Sequence, residues 1–159
     1  MISDKESRKQ LVAHLEGGLA YASIESFIDA IPFGKIRKRP SGLPYSFYEV
    51  FFHIWFAQKD ILDYINSPEY SPKEWPTDYW PDVPEPASEE EWEDLKANYF
   101  EDRKLLKDHL LNEEFDLGQP VLNSQDHTLL REILLVIEHT AYHTGQLLLI
   151  QRLLGVYDN

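Results

Sequence analysis

Residues 129 to 154 form the segment that most constrains how this chain can fold. It is a run of Leu and Ile broken by Glu138-His139-Thr140-Ala141-Tyr142-His143-Thr144-Gly145-Gln146. Apolar residues recur on every side, so the spacing predicts a long helix that must be well covered by other helices. At 100° per residue, His139 and His143 fall on one face, one turn apart. Two imidazoles stacked in apolar surroundings need partners. One metal ion gripped from one side would satisfy both.

The rest of the chain predicts three more helices. Ser3-Asp4-Lys5-Glu6 has capping-box spacing, and Leu11, Leu15, Leu19, Ile28 and Ile31 continue a helical pattern to Pro32. The first helix is therefore expected over about 4–31. Gly17-Gly18 in its middle weakens it by about 1 kcal/mol per glycine, and suggests close approach of a neighbour or simple tolerance. A basic Pro/Gly connection follows. Ser46 can cap a second helix over 46–65, apolar on nearly every side. Residues 67–87 form a Pro-dense loop carrying Trp75, Tyr79 and Trp80, expected to pack down as a lid or wall. Ser88-Glu89-Glu90-Glu91 opens a third helix over 89–112, with a charged outer side read as solvated, and Asp126 or Thr128 caps a fourth over 129–154, stopped by Gly155. The expected fold is an all-α, up-down-up-down four-helix bundle in a single domain spanning 1–159.

A third histidine extends the pair. His53 lies midway along the second helix, with Glu49 and Asp60 on its face. Three imidazoles from two facing helices can converge on one ion and leave an open position, the pattern of a catalytic rather than a structural site. Alone, His53 would read as a core histidine bonded to a carbonyl or carboxylate. Gln146 and Glu132 share the strip of His139 and His143 and could orient the rings or contact a bound water. Glu49, Asp60 and Gln146 are the candidates for a catalytic role. Tyr142 is expected to point away from the histidine strip as packing. His109 and His127 are expected at the surface, and His14 stays open as a pocket residue. Leu134, Ile137, Ala141 and Leu148 form a second stripe, for another helix or a second subunit.

Net charge is −13, from 28 acidic and 15 basic residues. That argues against nucleic-acid backbones and anionic lipid as partners. No run reads as both long enough and charge-free enough to cross a bilayer. The absence of Cys fits a cytoplasmic protein and removes any thiolate of its own.

One His in the second helix, His139-x-x-x-His143 in the last, Gly145-Gln146 and a terminal Leu154-Gly155 together resemble the DinB-like superfamily of metal-binding four-helix bundles. Leu130-Arg131-Glu132-Ile133-Leu134 and the stretch from Ser46 to Ile61, with Gln58-Lys59-Asp60, fit the same pattern. The resemblance implies a three-histidine site for a divalent ion, commonly zinc or nickel, and frequent homodimers. Some members resemble thiol-dependent S-transferases that use a low-molecular-weight thiol; others are isomerases or hydrolases. Two functions compete on this reading. One is a metal-dependent transferase or hydrolase of a small molecule. The other is a non-catalytic dimeric bundle whose metal site is structural, vestigial or sensing.

Overall fold

A computed structural model describes residues 4–83 and 88–157. Its described residues form five α-helices and no strand: α1 (Asp4–Glu16), α2 (Ile24–Ala30), α3 (Phe47–Asn66), α4 (Glu89–Leu111) and α5 (Leu129–Leu153). Ser3 of the first capping box lies outside the described residues. The expected first helix is two helices. Gly17 and Gly18 adopt φ of 76° and 78°, a left-handed conformation that ends α1. Their role is helix termination, and among the described residues a Cβ added at either would meet only Tyr21 or Ser23, in the turn that follows.

The three longer helices start and stop where their sequence signals lie. Ser46 and Glu49 form a full capping box at the start of α3. Ser88 accepts from the Glu91 N–H at the start of α4, and Thr128 from the Arg131 N–H at the start of α5. Gly155, at φ 64°, closes α5, with Val156 N–H returning to the Gln151 carbonyl at 3.0 Å.

The order of the helices corrects the expected up-down-up-down course. Along α3 and α4, Phe51 meets Trp92 (5.2 Å between rings), Gln58 reaches the Tyr99 carbonyl (2.9 Å) and Asn66 meets His109 (2.9 Å). Both sequences ascend together, so α3 and α4 run parallel. Arg8 bonds the Leu110 carbonyl at 2.9 Å while Arg103 bonds the Glu16 carbonyl at 3.2 Å, so α1 and α4 are antiparallel. His53 meets His139 and His143 while Tyr64, near the end of α3, meets His127, just before α5; these helices too are antiparallel. The course of the four long helices is up-down-down-up. The physical reason is the length of the connection after α3: residues 67–88 can return along the whole bundle before α4 begins.

Two apolar clusters fill the interior. One gathers Phe47, Phe51, Ile54, Trp92, Tyr99, Leu147 and Ile150. The other gathers Leu62, Ile65, Leu106, Leu110, Leu129, Ile133 and Val136. Full burial of each such side chain stabilises the fold by about 1.5–3 kcal/mol. On α5, His139, Thr140, His143 and Thr144 fall between the residues of the two clusters; on α3, Gln58 and Asp60 do. The bundle thus carries a polar layer between two cores.

By length and mean hydropathy, α5 is apolar enough to cross a membrane, contrary to the expectation from its sequence. Here it packs against α1, α2 and α3, and buries Glu132, His143 and Gln151. A core helix of a bundle has the same composition.

Candidate metal centre

The imidazoles of His53, His139 and His143 come together in the polar layer, with ligand nitrogens all within 4.8 Å of one another. The Nε2 atoms of His53 and His139 are 3.0 Å apart. Two nitrogens bound tetrahedrally at zinc distances would be about 3.3 Å apart, close to that spacing. Rings of His53 and His143 meet edge to face at 4.6 Å, and those of His139 and His143 at 4.4 Å.

Two hydrogen bonds set which nitrogen each ring offers. His53 Nδ1 donates to the Tyr79 carbonyl at 3.0 Å, and His143 Nδ1 donates to Gln146 Oε1 at 2.8 Å. Each Nδ1 therefore carries the proton, and each Nε2 keeps its lone pair for a ligand role. Trp80 lies flat on His53, with ring centres 4.4 Å apart and planes 1° from parallel. Ring orientation of His53 is thus fixed from two sides. Because Gln146 sets the tautomer of His143, Gln146→Ala is expected to lower metal affinity about 10–100-fold without unfolding the chain. Equilibrium zinc titration against a competing chelator checks this; an unchanged affinity would show that the bond does not position the ring.

Burial holds all three rings neutral. It lowers the His53 and His143 pKa values below the ordinary 6.5, and takes His139 to about 3, helped by the two neighbouring histidines. Neutral imidazole is the form that binds a metal. The shift also bears on stability. Between about 3 and 6.5 the unfolded chain binds a proton at this position that the native state does not. The contribution of His139 to metal-free stability is then level above pH 6.5 and falls as pH drops below it, by up to about 1.4 kcal/mol per unit. Urea unfolding in chelator at pH 7.5, 6.5 and 5.5 should show the slope, and His139→Gln should reduce it, leaving the part that His53 and His143 contribute. An equal slope in that variant would disprove the assignment.

The other candidates separate cleanly. Asp60 is brought to the site: it lines the same cavity of about 570 Å³ as the three histidines and accepts from the Tyr79 hydroxyl at 2.6 Å. Gln146 holds His143, as above. Glu49 is withdrawn. Its carboxylate closes the capping box of α3 and pairs with Arg39 (Nε to Oε2, 2.9 Å). Burial would raise its pKa, but the Arg39 pair and the Ser46 bonds outweigh this and hold it below the usual value. Glu132 pairs with Arg131 and lies 3.6 Å from His127, away from the three rings. His14 is exposed and takes no part in the cavity. His109 is half-buried, and His127 is at the surface as expected, its side chain 42% exposed. Tyr142 corrects its expectation: it is 66% exposed and stands at the cavity, its ring 4.8 Å from that of His143.

Tyr79 is the residue that sequence reasoning missed. Its carbonyl holds His53 and its hydroxyl holds Asp60. The available signal was the long aromatic loop, of which Tyr79 and Trp80 pack down as expected while Trp75 stays 65% exposed.

No curated protein and no solved structure matches this chain. The sequence model of the DinB superfamily matches residues 19–147, which contain all three histidines. With most of the sequence matched and the histidines gathered in a helical bundle, the chain belongs to the DinB superfamily.

Proposed function

We propose that this protein is a metal-dependent transferase or hydrolase of a small molecule, with His53, His139 and His143 holding one divalent ion, zinc or nickel. The observation that carries the reading is the open cavity of about 570 Å³ against the three rings. A structural site closes its coordination with protein ligands, whereas three ligands facing a cavity leave a position for water or substrate. The donor set fits such an ion: three neutral imidazoles, two with Nε2 freed by a bond at Nδ1. When bound, the ion would act as a Lewis acid and make a nucleophile of water or of a thiol at neutral pH. The chain's own residues orient the rings through Tyr79, Trp80 and Gln146. Asp60 is the acid that remains open to a proton leaving the nucleophile.

We further propose a homodimer in a cytoplasmic setting. Leu134, Leu149 and Leu153 on α5 are 48%, 46% and 53% exposed, an apolar stripe of the kind a second copy covers.

Metal analysis of the purified chain should find one zinc or nickel per protein, and thiol-conjugation and ester substrates should turn over only in the loaded protein. A chain that takes up no stoichiometric metal defeats the reading.

A further inference from the structure

Among the described residues, the three-histidine cavity is built from apolar and aromatic walls with a single acid and no cation. Ala57, Ile61 and Leu135 form its aliphatic side, and Asp60 is the one acidic side chain that the described residues bring to it. No Lys or Arg lines it, and the undescribed residues contain neither. None of the four cations of the basic connection before α3 lines it. Arg39 is paired with Glu49, Lys35 donates to the Leu154 carbonyl at 3.1 Å, and Arg37 lines a different cavity, with Tyr48 and Trp55. Lys59, next to Asp60 in sequence, is turned to Asp63 at 2.8 Å. The net charge of −13 adds an unfavourable field for any further anion.

Two exposed aromatics stand at the mouth. Trp75 lies 5.9 Å from the His53 ring and 5.2 Å from Tyr79, and Tyr142 lies against His143. Both are about two-thirds exposed, at 65% and 66%. Large rings left open beside a functional pocket are where a ligand gains most by covering apolar surface.

Building on the metal-site reading, we infer that the substrate is a molecule with one metal-ligating head group and an aromatic or aliphatic body, and with no second anionic group. A multiply anionic low-molecular-weight thiol is the wrong partner for this cavity. Its head could reach the ion, but its remaining carboxylates would find Asp60 and apolar walls in place of a cation.

Three hydroxamates used on the zinc-loaded protein test this. Acetohydroxamate carries the head alone, benzohydroxamate adds a ring, and 4-carboxybenzohydroxamate adds an anion to that ring. Calorimetry should rank benzohydroxamate first, about tenfold or more tighter than each of the others. Trp75→Ala, at an exposed position, should remove most of the advantage of the ring and leave acetohydroxamate unchanged. Asp60→Asn should recover part of the affinity for the carboxylated probe. Equal affinity for the two aromatic probes, or an unchanged ranking in Trp75→Ala, overturns the inference while leaving the metal site standing. Failure of the chain to take up zinc, or of any hydroxamate to bind the loaded protein, overturns the metal-site reading and this one with it.

Discussion

Replacing His53 or His143 by alanine will leave a folded protein whose affinity for zinc has fallen by at least about a hundredfold. The magnitude follows from what lesser changes do: removing a group that only orients a ligand costs about 10–100-fold, and a ligand itself contributes more. Folding should survive because the bundle rests on two apolar clusters on either side of the polar layer, and neither cluster contains a histidine. His53 is 2% exposed and His143 is 8% exposed, so each alanine also leaves a small void. Circular dichroism should therefore show native helix content with a modestly lowered melting temperature, while competition titration shows the loss of metal. Full zinc affinity in both variants would mean that the three rings are a hydrogen-bonded core cluster and nothing more.

The largest effect on stability is expected at Arg103, which does not line the cavity of the three histidines. The residue is 4% exposed and ties three elements together. Its guanidinium donates to the Glu16 carbonyl at the end of α1 (3.2 Å), to Glu25 on α2 (2.9 Å) and to the fully buried Tyr99 hydroxyl on α4. It also lies 4.6 Å from the centre of the Tyr99 ring. Arg103→Ala leaves a buried hydroxyl and a helix-end carbonyl without their donor and removes the packed stem. We expect a loss of about 1–3 kcal/mol, the cost of leaving a buried polar group without its partner. For a chain of this size that is a fall of about 2–12 °C in melting temperature. Glu25, whose side chain is 40% exposed, should cost much less when changed to Gln. A loss below about 1 kcal/mol for Arg103→Ala would show that water replaces the guanidinium at no cost.

Arg103 also shows where reading the sequence stops. The outer side of α4 is rich in charge and reads as solvated, yet this arginine and Arg8 on α1 are buried. Most of their partners are main-chain carbonyls about a hundred residues away, which leave no trace in local patterning. The three histidines were legible for the opposite reason. Side chains on one helical strip announce themselves by spacing, and His53 sits on a helix that is apolar on nearly every side. Helix limits were legible wherever a capping residue marks them, as at Ser46, Ser88, Thr128 and Gly155. The break at Gly17-Gly18 was not, because the helical spacing of apolar residues runs on past the pair and a cost of about 1 kcal/mol per glycine can be borne inside a helix, so only the backbone angles decide. Nor could Tyr79 be singled out, since its hold on His53 is through a carbonyl that every residue possesses. Helix direction was open for a simple reason: a long connection permits either the near end or the far end of the next helix to come first.

That parallel pair has a consequence for how such a chain can vary. Since α3 and α4 point the same way, the segment between them must travel back along the bundle, a distance of about 34 Å for a helix the length of α4. No fewer than about ten extended residues cover it. The strap that lays Tyr79 and Trp80 on His53 is thus a necessity of the topology. A shorter version would reverse a helix before it uncovered the site. Related chains of the same course are free to change the side chains on the strap, and with them what the cavity admits, but they are not free to dispense with a strap altogether.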